Sequence, residues 1–489
     1  MSTDAPRSGR RAAGRRRQAR LYAVTLAVVI AVLGVVGLAG AAVTTGQGPR
    51  VSSTSSDPKA AVAASGSRLI VAMNQSLRKV EAEQVTVTPA TPFTVDTSGR
   101  SMGVRFTLPL HDDTEYTVRF RDVVGIGGGP AADVVERFRT PRLRVLVMQR
   151  GQDGDRILST DVRGGDREPV LTDAHIEDFR ATPEHIVVQT LDSRGRARLT
   201  VTRPDGTHRR ALPLPGSGQI AQLQIADRGD LAGYTYTDAD PGAAGAQISA
   251  LYVASLKDAA ARTPPRRIPL PGSDTRVADW RFVPDSDSIL VMTFDGRMLL
   301  TGANGDKPVD LGRGLAIDGI ARGSSTAVIE RADGVFTVDL ADGKQKPLPP
   351  ATEAGAAVPG QAGPVVPAPG DDGTTIRYYA VLHVAGAAGA DSGAPEGTTV
   401  FRVDRAGKSL PVLQLPAADA VLQTCVSPSA RYVAVTVAPD TVNNPYDQYQ
   451  LPMPLRTLTH IVDLTEGREV SQVHGFAPSW CQEPPALTG

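Results

Sequence analysis

Residues 277–311 read VADWRFVPDSDSILVMTFDGRMLLTGANGDKPVDL. An apolar strand opens the stretch and runs into a proline turn at Val283-Pro284-Asp285, and a second strand follows at Ile289-Leu290-Val291. LLTGANGDKPVDL (299–311) then forms a hairpin, two strands around a glycine turn. Four short strands joined by tight turns leave no room for a helix in so short a span.

Both halves of this unit recur. The hairpin returns as ILSTDVRGGDREPVL (157–171), LTVTRPDGTHRRALPL (199–214), LYVASLKDAAARTPPRRIPL (251–270), VFTVDLADGKQKPL (335–348), VFRVDRAGKSLPVL (400–413) and THIVDLTEGREVSQV (459–473), which makes seven copies. The opening strand and its proline turn return without gaps at Ile176–Glu184 and again at Val421–Ser429. Four strands repeating about every 50 residues is the signature of a β-propeller blade. The ends support a closed ring. Leu143–Met148 starts the first unit at its second strand, and Gly475-Phe476-Ala477-Pro478-Ser479-Trp480 is an innermost strand with no blade after it. The C-terminal strand should therefore complete the first blade, giving seven blades over 142–482, with six and eight as the alternative counts and 483–489 as a tail. Loops at 351–373 and 386–398, rich in Ala, Gly and Pro, read as mobile insertions.

Composition agrees with an all-β chain. Its 489 residues hold 49 Gly and 38 Pro, and only 4% of residues are aromatic. Lys+Arg and Asp+Glu are equal at 52 each, which argues against a nucleic-acid partner. The balance hides an asymmetry, because residues 1–20 carry seven arginines and one acid. After this tail comes Leu21–Val43, an apolar run without a charge, long enough as a helix to cross a bilayer. The positive-inside rule puts 1–20 in the cytoplasm and the rest outside. Ala39-Gly40-Ala41 is the pattern of a signal-peptidase site, but the run before it is longer than an ordinary signal core, which favours an uncleaved anchor. The Ser/Thr/Ala/Gly-rich stretch 44–66, with SSTSS at 52–56, reads as a flexible stalk.

Residues 67–141 alternate polar and apolar with period two, as in Glu115-Tyr116-Thr117-Val118-Arg119-Phe120, and suit a small antiparallel sandwich. The segment LPLHDDTEYTVRFRDVVGIGGGPAADVVERFRTP (108–141) resembles the bacterial Ig-like module of surface-layer-type proteins, through Thr114–Val118 and the terminal Phe138-Arg139-Thr140. That resemblance implies a spacer or adhesive module. The turns Pro183-Glu184, Pro284-Asp285 and Pro428-Ser429 likewise resemble the Pro-Asp repeat of Tol-type and other WD40-like bacterial propellers, although only the middle copy keeps the acid in its usual form.

Counting back from the motif proline, Cys425 takes the place that Arg281 holds before Pro284. Aligning Trp480 on Trp280 puts Cys481 at the same position of the closing strand. The two cysteines therefore stand at equivalent sites on adjacent innermost strands, and in an exported protein they are expected to form a disulfide. The alternative is a pair of buried free thiols.

A catalytic set does not emerge. The seven histidines (His111, His175, His185, His208, His383, His460, His474) make no H-x-x-x-H or H-x-H pair, so no metal centre is expected. Gly125–Gly129 lacks the Lys-Ser/Thr of a phosphate loop, and no G-x-S-x-G elbow occurs. Asp238/Asp240 and Asp285/Asp287 read as solvated turn acids rather than calcium ligands, and Trp280 and Trp480 as core. The repeated polar residues near the channel are Asp178, Arg180, Asp279 and Arg281. The sequence thus points to a membrane-anchored binding, scaffold or sensor protein of the cell envelope, not an enzyme, with no cofactor and an envelope protein or cell-wall component as partner. The rival is an exported propeller enzyme, a lyase or cofactor-dependent dehydrogenase, working in the central funnel.

Overall fold

The computed structural model describes residues 25–35, 48–228, 230–381 and 396–485. Within the apolar run 21–43, residues 25–35 are helical and exposed, while the flanking parts of the run and the tail 1–20 lie outside the described residues. Among the described residues no helix is long and apolar enough to cross a membrane.

Two sheets form the first unit. One has the strand order Val51–Ser56, Arg68–Met73, Ser101–Phe106, Phe93–Ser98, and the other Val85–Thr88, Glu115–Val123, Ala132–Arg139. Alternation does what it should: Leu69, Val71 and Met73 point inward from one sheet against Tyr116, Val118 and Phe120 of the other, in a shared core. Gly125–Gly129 is a loop between two strands of this unit.

The stretch 44–66 is not a stalk over its described part. Val51–Ser56 pairs along Arg68–Met73, and Pro58–Ala63 is a helix. The strand escaped reading because it lies on an edge with every side chain exposed, so its order comes from backbone hydrogen bonds rather than apolar burial. The helix is capped by Asp57, whose carboxylate accepts from the backbone N–H groups of Lys59 and Ala60, and it buries Ala61 and Val62.

From Arg144 onward seven antiparallel sheets of three or more strands follow in chain order, each contributing one blade, with a two-stranded hairpin, Thr352–Glu353 against Ala356–Ala357, between the fifth and sixth. Blade one supplies only Arg144–Gln149, Asp155–Asp161 and Glu168–Asp173 from its own part of the chain. Its inner edge is completed from the far end: Met148 and Phe476 exchange backbone hydrogen bonds of 2.9 and 3.0 Å, and Ser479 N–H donates to Leu146 O at 2.9 Å. The ring therefore closes through its C-terminal strand. Blades two, three, four, five and seven have four strands each, starting from the inner strands Ile176–Ala181, Gln219–Ile225, Val277–Phe282, Ala316–Ile320 and Ala420–Val426.

Blade six differs. Two fragments, Gln361–Ala362 and Val366–Pro367, pair end to end along one edge of Thr375–Val381 in place of one continuous inner strand. Pro364 and Pro367 cannot donate to a ladder, which explains both the break and the loop-like composition. Part of 351–373 is thus the inner edge of a blade with Ala351, Val358, Val365 and Ala368 buried, not a mobile insertion. Of the second supposed insertion, Gly397 and Thr398 open the strand Gly397–Val403, and residues 382–395 lie outside the described residues.

The cores sit between blades. One joins Val187 and Leu199 of blade two to Leu223 and Tyr234 of blade three, and another joins Val145 and Val147 of blade one to Tyr432 and Ile461 of blade seven. Trp280, fully buried, leaves blade four to pack on Gly233 of blade three, where a β-carbon would collide with the indole. The sandwich is bonded to the ring through buried Asp112, which accepts from Leu143 N–H at 3.0 Å, from the Tyr432 hydroxyl at 2.8 Å and from Arg431 at 3.2 Å.

Candidate functional site: the central channel

The inner strands carry a device that alternation alone does not foresee. In blades two, three, four, five and seven the pairing register shifts by a residue, at Ile176/Asp178, Ala221/Gln224, Val277/Asp279, Ile317/Gly319 and Val421/Gln423. A bulge of this kind re-aims side chains. Here it falls where Asp178, Gln222, Asp279, Asp318 and Gln423 stand.

The two Asp-x-Arg pairs adopt the same arrangement, since residues two apart on a strand share a face. Asp178 accepts from Arg180 at 2.6 Å and from the Phe179 N–H at 2.8 Å. Asp279 accepts from the Trp280 N–H at 2.8 Å and pairs with Arg281. Burial pushes the Asp178 carboxyl up despite Arg180 beside it. Arg281 also donates to Ile317 O of blade five at 3.1 Å. Gln222 and Gln224 of blade three do the same toward blade four, donating to Ala278 O at 2.8 Å and to Trp280 O at 2.6 Å. These side chains stitch neighbouring inner strands together.

The rest of the charge is met by Gln482 and Glu483, which follow the closing strand. Cys425 and Cys481 form a disulfide with Cα atoms 5.6 Å apart, fixing the closing strand to blade seven. Immediately beyond it, Gln482 O accepts from Arg180 Nε at 2.9 Å, Glu483 O accepts from Gln423 Nε2 at 2.5 Å, and the Glu483 carboxylate pairs with Arg281. Burial pushes the Glu483 carboxyl up, against the pull of Arg281. The repeated polar set of Asp178, Arg180, Asp279 and Arg281 is therefore brought together around this segment. Sequence reasoning missed Gln222, Gln224, Asp318, Gln423 and Glu483, and only their positions on repeat-aligned inner strands could have flagged the first four.

Two cavities flank the segment. One of about 320 Å³ lies beside Arg281, Asp318, Tyr378 and Glu483. In it burial raises the Asp318 carboxyl to about 6, although the Val365 N–H donates to it at 3.2 Å. The other, about 530 Å³, lies between Val62–Ser65 of the sandwich and the proline turns of the ring. Its acid Asp285 accepts from Ser65 and faces Arg322 at 3.7 Å, and Arg322 also pairs with Asp227 at 2.6 Å. Asp285 is thus a cross-unit contact. Asp238 and Asp240 accept from the Gln247 and Gly242 N–H groups as ordinary turn acids.

The histidines are scattered in space as in sequence. His175 bonds Glu177 at 2.6 Å and stacks on Tyr449, His460 bonds Glu469 at 2.7 Å, and burial lowers His111. His383 lies outside the described residues. Among the described residues one group, Glu184, His185 and Asp230, brings three metal-ligating atoms within 4.8 Å of one another, and it lies on the surface with Glu184 exposed.

No known protein family matches the chain, and no curated protein matches it in sequence. Solved structures do match. The dihydro-heme d1 dehydrogenase NirN is 12% identical with a TM-score of 0.41, covering 69% of this chain and 74% of its own. A TolB-type protein of Agrobacterium tumefaciens is 13% identical with a TM-score of 0.34, over 68% of this chain and 90% of its own. The β-propeller domain of the Trilobed protease of Pyrococcus furiosus is 13% identical with a TM-score of 0.37, over 60% and 92%. Likeness at this level carries no function across, and the propeller assignment rests on the strand pairing itself.

Proposed function

We propose that this chain is a membrane-anchored binding protein of the cell envelope that holds a sandwich and a seven-bladed propeller outside the cytoplasm and uses the propeller as its interaction platform. One observation carries the reading: the charged groups converging on the channel are paired with one another, with neighbouring backbone or with the chain's own Gln482–Glu483, so they form a scaffold rather than a set of free acids, bases and nucleophiles. Export is supported by the disulfide, which belongs to oxidising compartments, and by the arginine-rich tail ahead of the apolar run. The surface-layer-type Ig-like reading of 67–141 fits a spacer that is bonded to the ring through Asp112.

The test is cross-linking in intact cells, purification through a C-terminal tag and mass spectrometry. A reproducible, near-stoichiometric envelope protein supports the reading; recovery of no envelope component refutes it. A second reading, an exported enzyme of the funnel, draws on Asp318, whose carboxyl burial pushes up to about 6 beside a cavity. Turnover of a small substrate that Asp318→Asn abolishes without unfolding would establish that reading instead.

A further inference from the structure

The way the channel holds Gln482 and Glu483 has the form of ligand recognition. Two of the three contacts go to main-chain carbonyls, from Arg180 of blade two and Gln423 of blade seven, and any extended peptide offers such groups. The third, from Arg281 of blade four, goes to a carboxylate and selects an acidic side chain. Arg180 is 1% exposed, yet its Nη2 has no partner among the described residues, and neither do the buried Gln423 Oε1 and Gln222 Oε1. Buried donors and acceptors are ordinarily matched, so the channel offers more recognition than this segment uses. The cavity of about 320 Å³ beside Glu483, walled by Phe282, Ile320 and Tyr378, gives flanking side chains an apolar place to lie.

We infer that the channel is a binding site for an extended peptide bearing a carboxylate, and that Gln482–Glu483 occupy it as a tethered stand-in held by the Cys425–Cys481 bond. The inference rests on the binding reading above and names its site and ligand class. A free peptide must displace the tethered segment, so the intact chain binds such ligands weakly and a chain lacking the segment binds them well.

The experiment uses the chain in detergent, shortened to end at Cys481 so that the closing strand and disulfide are kept. The probe is a fluorescein-labelled peptide spanning Gln482–Gly489, followed by anisotropy. The shortened chain should bind it saturably and at least tenfold tighter than the full chain does. Replacing the acid in the peptide (Glu483→Gln) should weaken binding at least tenfold, and Arg281→Ala in the protein should erase that difference between peptides. If the shortened chain fails to fold, the full-length Glu483→Gln variant carries the test, because its weakened plug should admit the native peptide at least tenfold better. A folded, shortened chain that shows no saturable binding at millimolar peptide, or that binds the acid and amide peptides equally, overturns the inference. An envelope partner that binds full and shortened chains alike also overturns it, while leaving the binding reading standing.

Discussion

Replacing both Cys425 and Cys481 with alanine should weaken the ring at its seam. The bond joins residues 56 apart in sequence, and in the chain-entropy description a closed loop of that length stabilises by about 4 kcal/mol. What it encloses is blade seven from its inner strand onward plus the closing strand of blade one, so the loss should fall on closure and not on the sandwich. At a urea dependence of about 3 kcal/mol per molar, 4 kcal/mol moves the unfolding midpoint down by about 1.3 M. Trp480, beside Cys481 and packed on the cluster of blades one and seven, makes its fluorescence a local reporter of the seam, while Trp280 reports on blades three and four. The full chain should be unfolded in urea without reductant, alongside the native protein with and without dithiothreitol. Coincident midpoints for the native protein and the double variant would refute the reasoning, because the bond would then add nothing that the Met148–Phe476 ladder does not already supply.

Other perturbations follow from the same contacts. Gly233→Ala pushes a methyl into the Trp280 ring and should cost about 1–3 kcal/mol, measured by thermal unfolding; a Trp280→Phe background should recover part of that loss. Asp318 is carried from 3.8 to about 6 by burial, which for a carboxyl means stability present at low pH and lost as pH rises through 6. That shift is worth about 3 kcal/mol, which solvent access to a partly buried group reduces to about 1–2 kcal/mol, so Asp318→Asn should stabilise the protein by that amount at pH 7.5 and leave it unchanged at pH 4. Asp463 behaves oppositely: burial pushes its carboxyl up, but hydrogen bonds from Thr465 and the pair with Arg431 bring it below the ordinary value. Its contribution is present at neutral pH and lost as pH falls below the usual carboxylate range, so Asp463→Asn should flatten the acid branch of a stability–pH profile. Glu177 accepts from the Gln450 and Leu451 N–H groups and from His175; Glu177→Ala should free the connection between the second and third strands of blade seven, seen as faster proteolytic cutting between Tyr446 and Leu455.

The blades were legible because each repeats two local signals, a proline turn and a glycine hairpin, whose physics needs no distant partner. The closing strand was legible for a related reason, as a half-unit left over at each end. Blade six was not, because Pro364 and Pro367 remove the donors that make an inner strand read as one. Nor was Val51–Ser56, whose side chains all face solvent and whose stability lies in its backbone.

The site was legible in proportion to how far its residues depend on their own strand. Asp178-x-Arg180 and Asp279-x-Arg281 pair within two residues, so the repeat showed them. Gln222, Gln224 and Gln423 reach across to a neighbouring blade or to Glu483, and a bulge turns the backbone beside them, so nothing local marks them. Glu483 gives no signal at all in the sequence. It follows the repeats in an unpatterned tail, and only closure of the ring carries it to Arg281, 202 residues away. A channel built by closure is therefore the part of such a fold that repeats predict least, because its contacts join residues of different blades and of the segment beyond the closing strand.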